Sequence, residues 1–238
     1  MKNLRAAIGF LTRIPMREAE PQRGMLAWFW LPGLMAGIVW YLAFQALGPT
    51  GLGAAAALAG EAVLTGGLHW DGLVDTFDGW MAPPAKRVQA RRDARIGTGG
   101  ALFLGLVLLA FWTLWSNAGG LSPVMLILPP VWARASLAWG VSWRGLDPSS
   151  RSLNGIVQVT EGGLWAWIPL MAALLFGILA MGFEGVNVFG GTLLVVGVFL
   201  LWGRRLYGGM NGDVIGASAI VTELVSLYFI IAVTRSVF

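Results

Sequence analysis

Cysteine is absent from the 238 residues, which excludes disulfides, thiolate metal centres and cysteine nucleophiles. Histidine occurs once, at position 69, so there is no imidazole cluster for zinc. Charge is scarce: Asp, Glu, Lys and Arg make up 12% of the chain, against about 25% in soluble domains. The N-terminus, MKNLRAAIGFLTRIP, lacks the apolar core and small-residue cleavage site of a secretory signal. In their place the chain has 57% hydrophobic residues and a mean hydropathy of +0.72. Lipid is therefore the expected solvent, and the length supplies about seven spans of about 20 residues with no room for a separate soluble domain. The net charge of +4 fits basic loops on one membrane face and excludes nothing but a need for nucleic acid as its explanation.

Seven apolar stretches stand out, at about 25–48, 51–70, 99–118, 122–143, 163–182, 187–203 and 214–233. Polar segments at 71–98, 144–162 and 204–213 alternate with very short turns. With the N-terminus in the cytoplasm, every Lys and Arg falls on the cytoplasmic side except Arg134, inside the fourth span, and Arg235, outside. The expected fold is all-α: a polytopic membrane-embedded helical bundle of about seven transmembrane helices, N-terminus inside, forming one domain over 25–238. Residues 1–24 precede it as a cytoplasmic amphipathic segment, with Leu4, Ile8 and Leu11 at helical spacing and Pro15 as the stop. The 13 Trp residues, several of them near the proposed interfaces, read mainly as membrane anchors.

The chemistry concentrates in GGLHWDGLVDTFDGW, residues 66–80. Asp71, Asp75 and Asp78 recur at i, i+4 and i+7 and share one helical stripe. Carboxylates this close raise one another's proton affinity unless a cation neutralises them, and an all-oxygen donor set suits Mg²⁺ or Mn²⁺ rather than Zn²⁺. Asp213, in YGGMNGDVIGA at the start of the last span, is either a fourth ligand or a helix cap. In RRDARIGTGG, residues 91–100, Arg91, Arg92 and Arg95 precede a turn containing Thr98 and Gly99. Arginine forks beside free backbone N–H groups at a helix start suit a phosphate. Asp93 is expected to pair with one of these arginines or to complete the metal shell.

His69 stands two residues before the stripe as a candidate general base, or else as a structural hydrogen-bonding residue. Glu61, Arg134 and Glu223 lie inside apolar spans, where ionisable groups need partners. Glu61 and Glu223 are expected behind the site as supporting acids, and Arg134 against an acid or a substrate phosphate. Carboxylates for Mg²⁺, arginines for phosphate and a site open to the cytoplasm define transfer of a phosphate-linked group from an activated donor.

Four blocks, FLTRIP at 10–15, TGGLHWDGLVDTFDG at 65–79, RDARIGTGG at 92–100 and GGMNGDVIGA at 208–217, resemble in order and spacing those of the cobalamin synthase (adenosylcobinamide-GDP ribazoletransferase) family. The resemblance runs nearly end to end, and its second block is the most specific. It implies an enzyme of cobalamin nucleotide-loop assembly in the bacterial cytoplasmic (inner) membrane. Adenosylcobinamide-GDP would be the donor, α-ribazole or its 5′-phosphate the acceptor, and adenosylcobalamin or its phosphate the product, with GMP leaving and Mg²⁺ required. Membrane lipid and other enzymes of the pathway are the remaining expected partners. Together, the residue patterns and the resemblance mark His69, Asp75 and Asp78 as catalytic, Asp71, Asp75, Asp78 and Asp213 as metal ligands, and Arg13, Arg91, Arg92, Arg95, Thr98, Gly99 and Arg134 as substrate-binding.

Two departures stand against the resemblance. Ile220 occupies a place where the family usually has an acid, with Glu223 one turn later, and the loop RSLNGIVQVTEGG at 151–163 differs from the family's Gly- and aromatic-rich segment. Two other functions share part of the pattern. A CDP-alcohol phosphotransferase would use similarly spaced acids, but its DGxxAR signature is missing. A cation-coupled transporter would explain charged residues within spans, but its site would sit near the midplane rather than at the cytoplasmic end.

Overall fold

The computed structural model describes residues 1–17, 24–143 and 164–237. Among these, the helices are α1 (Lys2–Leu11), α2 (Trp30–Leu47), α3 (Gly51–Thr65), α4 (Leu68–Met81), α5 (Arg87–Arg91), α6 (Thr98–Ser116), α7 (Leu128–Val141), α8 (Leu164–Met181), α9 (Phe183–Tyr207) and α10 (Gly212–Val237). Six segments are long and apolar enough to cross a membrane: Met25–Leu47, Thr98–Ser116, Pro123–Val141, Leu164–Met181, Phe183–Tyr207 and Gly212–Ser236. The chain is a multi-pass helical membrane protein. These segments coincide with six of the seven expected spans.

The expected second span, 51–70, is broken. α3 stops at Thr65, Gly66 and Gly67 take left-handed φ of 68° and 73°, and α4 leaves at 96° to α3. Only glycine adopts two successive positive φ values without strain, so the GG pair of the sequence marks a corner rather than the middle of a span. At 1.5 Å per residue, α3 alone reaches about 22 Å, short of the ~30 Å hydrocarbon core. The described residues thus hold six spanning helices, or seven if the bent α3–α4 pair crosses as one span.

Burial ranks the helices by position. The windows over α7 and α10 are 78% and 72% buried, whereas those over α6 and α8 are 22% and 28% buried. α7 and α10 form the centre, while α6 and α8 present Leu102, Leu106, Leu109, Leu175 and Leu179 outward, as a lipid-facing surface requires. α10 packs against α4, α7 and α9, and α2 packs against α3 and α7. Trp40 sits edge-on to Phe111 and Trp115 in the core. The α4–α10 crossing is close because both partners are glycines. A Cβ on Gly72 would lie 2.8 Å from the Asp213 carbonyl oxygen and 3.3 Å from Gly216 Cα.

α1 docks on the segment Met25–Trp28 and on α2, burying Ala6, Ala7 and Leu11, while Leu4 and Ile8 are only partly covered. Its docking face is therefore centred on small residues rather than on the Leu4–Ile8–Leu11 stripe. The helix ends at Leu11, four residues before Pro15, where the Thr12 hydroxyl accepts from the Ile14 N–H. At the far end of the bundle, Arg235 Nη2 donates to the Asn117 side-chain and backbone oxygens, joining the ends of α10 and α6.

One charged cluster lies in the centre. Arg134 on α7 is wholly buried and donates to Glu61 of α3 at 2.7 Å and to Glu223 of α10. Trp40 of α2 donates its indole N–H to the other Glu61 oxygen at 2.7 Å, and His69 Nδ1 of α4 lies 3.5 Å from Arg134 Nη2. Removing one member of such a cluster leaves an uncompensated charge in an apolar medium. Arg134→Ala is expected to lower the unfolding free energy in detergent by about 3–5 kcal/mol. Glu184→Ala, at an exposed helix start, should change it by less than about 0.5 kcal/mol. Equal denaturation midpoints for the two variants would show that the cluster contributes nothing to folding.

Candidate active site

The three aspartates of α4 share a helix face, but they have different partners. Asp78 is buried, and its Oδ2 accepts from the Gly97 N–H at 2.8 Å while Oδ1 accepts from the Gly100 N–H at 2.8 Å. The carboxylate thus caps the N-terminus of α6 from another helix, satisfying donors that have no intrahelical partner. A Cβ on Gly97 would collide with this carboxylate, and one on Gly100 would lie 2.7 Å from Oδ2. The GTGG block and the DG of the second block are therefore two halves of one contact. Asp78 thus occupies two amides of the GTGG turn, those of Gly97 and Gly100, and not those of Thr98 and Gly99.

Asp75 is half-buried and accepts no hydrogen bond among the described residues. Its carboxyl is pushed up to about 7, first by burial and then by the charges of Asp71 and Asp213, with Arg91 opposing. Asp213 pairs with Arg91, whose guanidinium also lies over the Tyr207 ring, 5.2 Å from its centroid. The Tyr207 hydroxyl donates to the Thr76 carbonyl at 2.7 Å, tying the end of α9 to α4. Asp213 is not the cap of α10. That position is held by Asn211, whose side-chain oxygen accepts from the Val214 N–H at 3.0 Å.

Arg95 is exposed and makes a two-pronged pair with Asp93, with Nε to Oδ1 at 3.0 Å and Nη2 to Oδ2 at 2.8 Å. These hydrogen bonds, with the Arg95 N–H adding a third, hold the Asp93 carboxyl at about 2. Both residues line a cleft of about 510 Å³ together with Asp78, Ile96, Thr98 and Gly99. Asp71 and Asp213 line a second, smaller cavity of about 160 Å³ together with His69. Asp71 also lines a third cavity, of about 700 Å³, with Arg13 and Trp70. Arg92 is exposed on the loop after α5.

The structure divides the expected site in two. Asp71, Asp75, Asp78, Asp213, Arg91, Arg95, Thr98 and Gly99 gather around α4 and the start of α6, with Arg13 at the rim. Glu61, Arg134 and Glu223 lie in the buried cluster; of the two partners expected for Arg134, the structure supplies acids. His69 touches both groups: it is 2% exposed and lines the small cavity. A guanidinium carries only donors, so the Nδ1 lone pair faces Arg134 and the proton of a neutral ring resides on Nε2. In this arrangement His69 presents an N–H rather than a lone pair at Nε2. Glu61 and His69 lie on separate helices on either side of the Gly66–Gly67 corner and meet through Arg134.

Among the described residues, no three His, Cys, Asp or Glu side chains stand close enough to share a metal ion. Mg²⁺ needs no such cage; it takes one or two carboxylates and completes its shell with substrate phosphates and water. The oxygen-only donor set here, with Asp71 and Asp75 lacking partners among the described residues, fits that mode. Trp40, Tyr207 and Asn211 were not singled out from the sequence. Asn211 carries a legible signal, an Asn three residues before a helical N–H, whereas the partners of Trp40 and Tyr207 are distant in sequence.

Carboxylates and arginines gathered at one end of a helical membrane protein are the groups that a membrane-embedded phosphate-transfer enzyme requires. The chain belongs to the cobalamin-5-phosphate synthase family, which it matches over residues 3–231. It is 32% identical to the adenosylcobinamide-GDP ribazoletransferase of Shewanella sp. (strain ANA-3), across 97% of this chain and 94% of that protein. It is 29% identical to the enzyme of the same name from Acetivibrio thermocellus, across 97% and 96%. No solved structure matches at a significant level. The loop 151–163, where the sequence departs from the family pattern, lies outside the described residues.

Asp78→Ala is expected to lower stability by about 1–3 kcal/mol for each buried N–H left unpaired. Asp71→Asn, at an exposed carboxylate, should leave stability within about 0.5 kcal/mol. Denaturation of both variants in one detergent checks this. Equal stability would show that the cap on α6 has no structural role.

Proposed function

We propose that the chain joins adenosylcobinamide-GDP to α-ribazole or its 5′-phosphate, giving adenosylcobalamin or its 5′-phosphate and GMP, with Mg²⁺, at the cytoplasmic face of the bacterial inner membrane. The observation that carries this reading is the convergence of the α4 carboxylates, the Arg91–Asp213 pair and the α6 start with Arg95 at one end of the bundle. Family membership and the names of the relatives support the substrates. The basic residues of the N-terminal segment and of the segments before α6 and after α9 support a cytoplasmic site.

The donor diphosphate lies in the cleft beside Arg95 and Thr98, where the Nη1 edge of the guanidinium, which Asp93 leaves open, and the hydroxyl orient it. A hydroxyl of the acceptor attacks the phosphorus next to the cobinamide. The new P–O bond forms as the bond to the GMP oxygen breaks, and the hydroxyl proton passes to Asp75. Asp71 and Asp213, which share one cavity, are the carboxylates that would hold Mg²⁺; the bound ion supplies neutralisation of the diphosphate and of the charge departing with GMP. Asp78 fixes the distance between α4 and α6 and so keeps the cleft in register with Asp75.

Purified protein in liposomes should release GMP from adenosylcobinamide-GDP only when both acceptor and Mg²⁺ are present. Asp75→Asn should lower kcat by roughly 10²–10⁴-fold with an unchanged unfolding midpoint. GMP release without acceptor, or full activity of the Asn variant, would sink the reading. Consumption of a CDP-alcohol in place of the corrinoid would move the chain to lipid synthesis.

A further inference from the structure

α9 carries two opposed faces. Val196, Leu200, Gly203 and Tyr207 are buried, and Gly203 pins that face to α10, since a Cβ there would collide with the Val214 side chain. Leu194, Val198, Leu201 and Arg205 recur at the same helical spacings on the other side and are exposed. Three apolar residues thus lead along the outside of the helix to a cation. From Leu194 to Arg205 the helix rises about 16 Å, close to the ~15 Å of hydrocarbon in one leaflet.

Val198, Leu201, Trp202, Arg205 and Leu206 line a groove of about 480 Å³ on this outer face. Its Trp202 ring packs against two rings of α4, with centroids 5.7 Å from Trp80 and 5.9 Å from Phe77. The groove therefore lies at the end of the bundle where α4 ends. Arg204 and Arg205 are both exposed, and neither has an acid or hydrogen-bond partner among the described residues. Asp213 pairs with Arg91, Asp93 pairs with Arg95 and Asp78 caps α6, so none of these acids neutralises the two arginines. An exposed arginine needs no partner in water; what sets this pair apart is the apolar groove that ends on it. A cationic end on an apolar track fits an amphiphile of opposite charge.

We infer that this groove binds an anionic phospholipid, with one acyl chain along Leu194, Val198 and Leu201 and the headgroup phosphate on Arg204 and Arg205. A zwitterionic lipid offers the same chain and phosphate, but its ammonium opposes the arginines, so net charge makes the selection. The chain covers the outer side of Trp202 and hence of the aromatic cluster that joins α9 to α4 and, through Phe77 stacked on Phe103 at 3.8 Å, to α6. The inference concerns the membrane face of the protein and does not depend on the transferase reading.

The test titrates the full chain in detergent with phosphatidylglycerol and with phosphatidylcholine of the same acyl chains, and counts bound lipid by native mass spectrometry. Wild-type protein should hold phosphatidylglycerol more tightly. Arg205→Gln should lower that preference by about fivefold, and the double variant Arg204→Gln, Arg205→Gln should abolish it. Arg235→Gln, at the opposite end of the bundle and beyond a Debye length, should leave it within about twofold. Val198→Trp, which fills the groove and keeps both arginines, should weaken both lipids alike. All these positions are exposed, and an unchanged unfolding midpoint checks that each variant is folded.

Equal affinity of wild-type protein for the two lipids, a preference that survives the double variant, or unweakened binding by Val198→Trp overturns the inference. Displacement of phosphatidylglycerol by glycerol 3-phosphate, which has the phosphate without the chain, would make the arginines a free-anion site. A dimer that the double variant dissociates would give the face to a second copy of the chain. Either of these results overturns it as well.

Discussion

An arginine in the middle of a helical bundle surrounded by lipid has to be satisfied from within the protein, and this requirement organises the structure. Arg134 draws Glu61 of α3 and Glu223 of α10 onto α7, Glu61 holds the Trp40 indole of α2, and the guanidinium reaches His69 at the start of α4. Five helices are thereby fixed at one point. Water offers no alternative partners in that medium, so the arrangement cannot relax by swapping to solvent. Because His69 lies two residues from Asp71, the same contact sets where the acidic face of α4 begins.

A second clamp sets where that face ends. Asp78 accepts from the Gly97 and Gly100 N–H groups at the start of α6, and a Cβ on either glycine would crowd the carboxylate. Between the clamps, Gly72 lets α4 lie against α10 at Gly216. α4 is held at its start by a buried cation, in its middle by a glycine contact and at its end by a helix terminus. Asp71 is left lining two of the cavities and Asp75 half-buried one turn on, both without partners among the described residues, while burial and the charge of Asp71 make negative charge expensive at Asp75. On the proposed reading, a divalent cation bound with the substrate diphosphate would relieve that repulsion.

The same framework accounts for two separate cavities on either side of Ile96. The Gly66–Gly67 corner turns α4 away from α3 and opens the Arg13 cavity, and the loop with Asp93 and Arg95 opens the other cleft across Ile96. Both open beside the α4 acids. The charges buried in the spans pair with one another, although Arg134 Nε and Glu223 Oε2 have no hydrogen-bond partner among the described residues.

The sequence by itself determined the solvent, the helical class, six of the spans and the acidic stripe of α4, because hydropathy over about 20 residues and acids at helical spacing are local quantities. It also held the Gly66–Gly67 corner and the Asn211 cap, whose signals are short and local. The tertiary structure alone decided which carboxylate does what. Asp71, Asp75 and Asp78 are equivalent on a helical wheel; they differ only because α6 places two N–H groups at Asp78 and α10 brings Asp213 and its Arg91 partner beside Asp75. The pairing of Arg134 with Glu61 and Glu223 was equally invisible, since its members are 73 and 89 residues apart. A partner's identity at that separation depends on how helices pack, which is set by the summed shape of their faces and not by any motif.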